Sequence, residues 1–320
     1  MTGRPTLLES DALRIVVDPV VGGTITSVQH KPTGASVLGT APWTPRPGPA
    51  ETYAAPNESA WLPYYSGGWP VLFPNGGDAC TFDGMFHGFH GEASLASWDA
   101  EETAGHLRLR RCFATVPIEM ERELTVEGEV LTLRERITMH GDHPVSVMWG
   151  HHPTFGGDLL GGPFEIGTFA RRVLVDDRFD LPLNPLQPGA QGVWPIVAGK
   201  GGPYDLSRPH EPMAAMAYLT DFERPSAWIR RLDNKIAAIL SWDGSVFPCA
   251  WLWCELEATQ EAPWSGTTRL IGIEPNTTWP GNGLLEARRR GAPLLVLRPA
   301  EKVEAWVRLE VTRPAGTLRG

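Results

Sequence analysis

Hydrophobic and polar residues alternate with a period of two over most readable stretches of the chain. In VEAWVRLEV, Val303, Ala305, Val307, Leu309 and Val311 fall on one face, with Glu304, Arg308 and Glu310 on the other. That alternation is the signature of a strand buried on one side. IEMERELTV repeats it, with Ile118, Met120, Leu124 and Val126 set against Glu119, Glu121, Glu123 and Thr125. The EGE that follows, ahead of VLTLRERITM, predicts a hairpin around Gly128. Further strands are predicted over 13–18, 24–29, 107–114, 145–151, 213–219, 235–242, 249–256 and 268–274, and helical periodicity is almost absent. Many short strands without intervening helices predict an all-β fold, a large antiparallel β-sandwich or barrel rather than a βαβ unit.

Composition sharpens this picture. Thirty-five Gly and 30 Pro are spread over the 320 residues instead of gathering in a repeat or linker, which favours short strands joined by many turns. The Pro-rich segment 41–60 reads as a long surface loop. No shift of composition marks a boundary, so a single domain over residues 1–320 is expected. With 42% hydrophobic and 20% charged residues the chain can bury a sizeable core. The net charge of −9 and the lack of a long basic run exclude the electrostatic footprint of a nucleic-acid-binding protein. No apolar stretch approaches the ~18 residues that span a bilayer, and MTGRPTLLESDALRI lacks the apolar run of a signal peptide. A cytoplasmic location without a membrane partner is therefore expected. Cys80, Cys112, Cys249 and Cys254 form no C-x-x-C pair and read as buried small hydrophobes.

Candidate chemistry gathers where titratable side chains sit among Gly and Pro, so that turning backbone can project them into a cleft. FHGFHGEASLASW (86–98) carries His87, His90 and Glu92; WGHHPTFGG (149–157) carries His151 and His152; IGIEPNTTWPG (271–281) carries Glu274 at the end of an apolar run. SGGWPVLFPNGGD (66–78) has turn residues and Trp69 but no evident acid or base. Taken singly, each is more often a structural residue than a functional one. The histidines match neither the HEXXH helix nor the histidine spacing of a cupin, so no metal is expected.

Together, and in this order, GG-x-I-x-S-V from Gly22, GGW-x-x-LFPN from Gly67, HGEASLASW from His90, W-x-HHPTFG from Trp149 and IEPNT from Ile273 resemble the aldose 1-epimerase family. The resemblance spans most of the chain. It implies the galactose mutarotase-like supersandwich and a cofactor-independent isomerase acting on a free sugar. It also implies roles: His90 binds and orients the sugar, His152 is the general acid and Glu274 the base. Where galactose mutarotases carry an Asn-Arg pair on the sugar hydroxyls, this chain reads FPNGG, with Asn75 and no arginine. The sugar-binding aspartate falls on Asp177 or Asp243, of which Asp243 is taken as the site residue. Trp69, Trp149 and Trp279 stand near these motifs, and Trp69 and Trp279 are expected against the sugar's apolar face.

Anomer exchange needs one group to remove the proton of the C1 hydroxyl and another to protonate the ring oxygen, which suits a carboxylate and an imidazole with displaced pKa values. The nearest alternative is a hexose-6-phosphate 1-epimerase, which needs cationic donors for its phosphate; Arg46, Arg171, Arg172, Arg230 and Arg231 are available. A non-catalytic carbohydrate-binding protein is a second alternative, although binding alone requires no acid and base pair. A glycosidase would call for two carboxylates flanking the scissile bond.

Overall fold

The computed structural model describes residues 4–48, 50 and 53–314. Strand Lys302–Thr312 buries Ala305, Val307, Leu309 and Val311 and turns the intervening residues outward. It lies between Val130–Met139 and Ala237–Trp242. Ile118–Glu127 pairs with Val130–Met139 from Ile118↔Met139 to Glu127↔Val130. Gly128 closes that hairpin at φ +53°, a left-handed conformation that glycine adopts without a Cβ clash.

These strands belong to a 16-stranded antiparallel sheet. The 19-residue strand Met213–Arg231 divides it into two layers. Its first part, Met213–Leu219, pairs with Cys249–Leu256, and its later part, Ser226–Arg230, pairs with Ala237–Trp242. From Cys249–Leu256 the inner layer continues to Arg269–Asn276, then to Thr154–Phe155 and Gly150–His151, and ends on Val71–Leu72. Cys249–Leu256 and Arg269–Asn276 are buried along almost their whole length, so they read as apolar runs and not as alternating strands. A separate four-stranded sheet, Thr6–Glu9, Leu13–Asp18, Thr24–His30 and Ala35–Ser36, packs Ile15, Val17, Ile25 and Val28 into the same core as Trp69, Phe73 and Phe155. This is the expected large antiparallel β-sandwich.

Three expectations change. The segment 41–60, of which residues 49, 51 and 52 lie outside the described residues, is more than a surface loop. Its Trp43, Ala50, Ala55 and Ala60 pack, with the neighbouring Trp61, against Tyr65, Leu95 and Trp264, and Glu58–Trp61 forms one helical turn. Only Cys249 and Cys254 are buried; Cys80 is half-buried and Cys112 is exposed, its thiol donating to Glu119. The 12-residue strand Phe164–Val175 was not expected, because a register shift between Thr168 and Ala170 interrupts its alternation. No helix among the described residues is long and apolar enough to cross a membrane.

Candidate active site

The face of the inner layer sets side chains in rows. Tyr218 is the register partner of Trp251, and Trp251 that of Glu274; one step along, Met216 partners Trp253, and Trp253 partners Gly272. Five of these residues, Gly272 excepted, line a cavity of about 280 Å³. Its remaining walls include His90, His152, Trp61, Tyr65, Trp264 and Asp176, and Glu58, Asp78 and Arg178 reach it from exposed positions. The volume falls just below the roughly 300–1,000 Å³ of drug-sized ligand sites, which fits a single sugar ring.

Glu274 and His152 meet here. His152 Nε2 lies 3.7 Å from Glu274 Oε1, and the residues are 6% and 2% exposed. The backbone makes room for that carboxylate: a Cβ at Gly272 would stand 2.3 Å from Glu274 Oε1. Because the clash is with the end of a flexible side chain, Gly272→Ala is expected to fold with a thermal midpoint close to wild type. Its displaced carboxylate should lose activity by about 10-fold or more; wild-type turnover in this variant would show that the observed position of Glu274 is not required.

The histidines are fixed by their second ring nitrogens. The Gly77 N–H donates to His90 Nδ1 at 3.1 Å, so the neutral ring carries its proton on Nε2. His90 itself adopts φ +58°, held by its own N–H donating to the Gly77 carbonyl. His152 Nδ1 lies 3.0 Å from Thr154 Oγ1, which lies 2.7 Å from the Tyr65 hydroxyl. Tyr65 is buried and has no other acceptor among the described residues, so the satisfied arrangement runs from Tyr65 O–H to Thr154 and from Thr154 O–H to His152 Nδ1. That leaves the His152 proton on Nε2, facing Glu274.

Burial pushes each group towards its uncharged form. It lowers His152 to about 4, lowers His90 well below the usual imidazole range with help from His152, and raises Glu274 well above the usual carboxylate range. A protonated carboxyl with a neutral imidazole holds the same number of protons as a carboxylate with an imidazolium. The pair therefore changes from one form to the other by passing a proton through whatever bridges it.

The depressed His152 has a measurable consequence. The ionisable groups around the ring are His90, Glu274 and Tyr65. As pH falls from about 6.5 to about 4, the unfolded chain takes up a proton that folded His152 refuses, so stability is lost across that window, by up to about 3 kcal/mol. His152→Gln should flatten this part of the stability curve in urea titrations. An unchanged slope would mean that the ring titrates normally in the folded protein.

The structure separates the other sequence candidates. Asp243 is away from the cavity, where it caps a turn by accepting from the Ser245 N–H and hydroxyl. Asp177 points to Arg290 at 2.8 Å. The aspartate that lines the cavity is their neighbour Asp176, which accepts from the Arg178 and Phe179 N–H groups and from the Tyr218 hydroxyl. Trp69 is fully buried and donates to His151 Nδ1. Asn75 is also fully buried, donating to the Asp78 and Gly88 carbonyls and accepting from the Leu284 N–H. Trp149 packs edge-on against Phe247, and Trp279 lines a different depression, beside Arg290. Trp69, Asn75, Asp243 and Trp279 therefore do not line the cavity. Its indoles are Trp61, Trp251, Trp253 and Trp264. Trp251 and Trp253 were within reach of the sequence, since residues two apart on a strand share a face; Trp61 and Tyr65 come from the short helical turns over 58–64 and their end, which carry no periodic signal.

Solved structures resemble this architecture along nearly its whole length. A protein of Synechocystis sp. PCC 6803 superposes with a TM-score of 0.69 at 20% identity, over 98% of this chain and 97% of its own. A candidate aldose 1-epimerase from Escherichia coli K12 gives 0.67 at 16% identity, over 97% and 99%. A galactose mutarotase related enzyme from Lactobacillus acidophilus gives 0.62 at 17% identity, over 97% of each chain. The chain has a galactose mutarotase-like fold. It matches no protein-family model and no curated protein sequence.

Proposed function

We propose that the protein is an aldose 1-epimerase that interconverts the α and β anomers of a free monosaccharide. The observation that carries this reading is the 3.7 Å pair of Glu274 and His152, set in an aromatic cavity the size of one sugar ring. Glu274 takes the proton of the C1 hydroxyl while His152 gives one to the ring oxygen; the ring opens, the C1–C2 bond rotates, and closure reverses both transfers. Because a single proton is shared by the pair, each turn restores the starting state without a cofactor. His90, with its proton on the nitrogen opposite Gly77, donates to a sugar oxygen and sets the ring's orientation. The indoles receive the apolar face of the sugar.

The phosphate reading loses its basis in the sequence. None of Arg46, Arg171, Arg172, Arg230 and Arg231 lines the cavity. Arg171 and Arg231 pair with Glu223 and Asp233, and Arg230 with Glu165. Polarimetry of freshly dissolved α-D-glucose and α-D-galactose tests the proposal. Faster approach to anomeric equilibrium than in buffer supports it, and no acceleration with either sugar or its 6-phosphate rejects it in favour of a binding protein.

A further inference from the structure

The charges around the cavity are one-sided. Four carboxyl groups line it, those of Glu58, Asp78, Asp176 and Glu274, against the single guanidinium of Arg178. Arg178 already serves anions of this chain: its charge works against the burial that raises Asp78, and it adds to Arg290 in lowering Glu286. Asp176 is occupied by its three donors. Glu58 and Asp78 differ from it: among the described residues neither side chain makes a hydrogen bond or an ion pair. Desolvation raises both, Asp78 adds its repulsion to Glu58, and Asp176 and Glu286 add theirs to Asp78. Two unpartnered carboxylates at a cavity mouth repel a phosphate dianion and attract a cation.

The wall behind them has the matching chemistry. Trp61, Trp251, Trp253 and Trp264 present indole surface, which suits sugar C–H groups and also attracts an ammonium through the negative face of each ring. His90, 9% exposed, turns into the cavity an Nε2–H that has no partner among the described residues. A neutral donor of that kind seeks a hydroxyl oxygen rather than a cation. The site therefore asks for one ligand with both features, a polyhydroxylated ring and a positive charge.

We propose that the preferred substrate is an aldose bearing an ammonium group, with Asp78 and Glu58 holding that charge at the cavity rim. This rests on the reading of the cavity as an epimerase site, and it names the substrate class. An amine on a carbon next to hydroxyl-bearing carbons titrates near the α-amino value of about 7.7, so at about pH 6.5 it is mostly charged.

The test pairs binding with turnover. D-glucosamine and 6-amino-6-deoxy-D-glucose carry the amine at opposite ends of the ring; D-glucose, N-acetyl-D-glucosamine and D-glucose 6-phosphate are the neutral and anionic controls. Calorimetric Kd and kcat/KM from saturation-transfer NMR are measured for the wild type and for the Asp78→Asn, Glu58→Gln double variant. At least one amino sugar is expected to exceed glucose by about 3- to 10-fold in both quantities, as for a partly exposed charge contact. N-acetyl-D-glucosamine and the 6-phosphate should fall below it, and the ratio of amino to neutral sugar should collapse towards one in the double variant or in high salt. Equal or better use of glucose by the wild type, a ratio that survives the double substitution, or preference for the 6-phosphate would overturn the proposal. An intact binding preference without turnover of any sugar would instead overturn the epimerase reading and leave the ammonium subsite supported.

Discussion

Glu274→Gln is expected to lower kcat for anomer exchange by about 10²- to 10⁴-fold, the range for loss of a general acid–base group, and to raise stability at neutral pH. The two effects share a cause. Burial holds the Glu274 carboxyl well above its ordinary value, whereas the unfolded chain ionises near 4.5. Above that pH the unfolded state releases a proton that the folded state retains, so stability falls as pH rises towards the folded value. Glutamine has no proton to release, and the fall should vanish. His152→Gln should match the loss of activity but alter stability on the acid side. In the wild type the pair keeps its single working proton between the lowered His152 and the raised Glu274, so kcat/KM should fall on the acid side only towards about pH 4 and on the alkaline side as the Glu274 carboxyl ionises, above the ordinary carboxylate range. Polarimetric rates with denaturant titrations from pH 4 to about 8 check all of this. Activity of Glu274→Gln within about 3-fold of wild type would remove Glu274 from the chemistry, and a stability curve parallel to wild type would mean that its carboxyl is ionised in the folded protein.

How much of this was legible in the chain follows from which signals are local. The alternation of 118–126 and 303–311 is a property of each strand alone, and both appear where expected. His90, His152 and Glu274 were recognisable because short motifs carry them, and the fold brings all three to one cavity. Asp176, the aspartate that lines the cavity, stands one position before the sequence candidate Asp177. In VLVDD the two aspartates are alike as sequence and both follow the end of strand Phe164–Val175, where only the first meets Tyr218 while the second pairs with Arg290. Trp69 and Asn75 stand beside recognised motifs yet are sealed into the core, because their polar atoms are already satisfied by His151, Asp78, Gly88 and Leu284. Trp61 and Trp264 reach the cavity from segments far apart in sequence, and nothing short of tertiary packing announces that.

One departure from the alternation was visible and carries the second large effect. On the apolar phase of Ile118–Glu127, between Met120 and Leu124, stands Arg122; on the apolar phase of Val130–Met139, between Leu133 and Ile137, stands Glu135. The hairpin register makes them direct partners. Both are buried, with Arg122 Nε donating to Glu135 Oε1 at 2.7 Å and His151 Nε2 3.1 Å from Glu135 Oε2. Burial opposes the charge on Glu135, but His151 and Arg122 outweigh it and hold the carboxyl at about 2. The pair's contribution is therefore present above about pH 4.5 and lost as pH falls towards 2. Glu135→Gln leaves Arg122 with an uncompensated buried charge and should cost about 3–5 kcal/mol, whereas Arg122→Met with Glu135→Leu should recover most of it, since apolar replacement of a whole buried pair is often neutral. The site feels this network through the chain. Glu135 steadies His151, which also accepts from Trp69, and His151 immediately precedes His152. If positioning is the network's role, the double variant should be stable yet several-fold slower, with KM little changed and the slow rate in kcat. A double variant as fast as wild type would assign Arg122 and Glu135 to folding alone, and a single variant within about 1 kcal/mol of wild type would mean that water reaches the buried arginine.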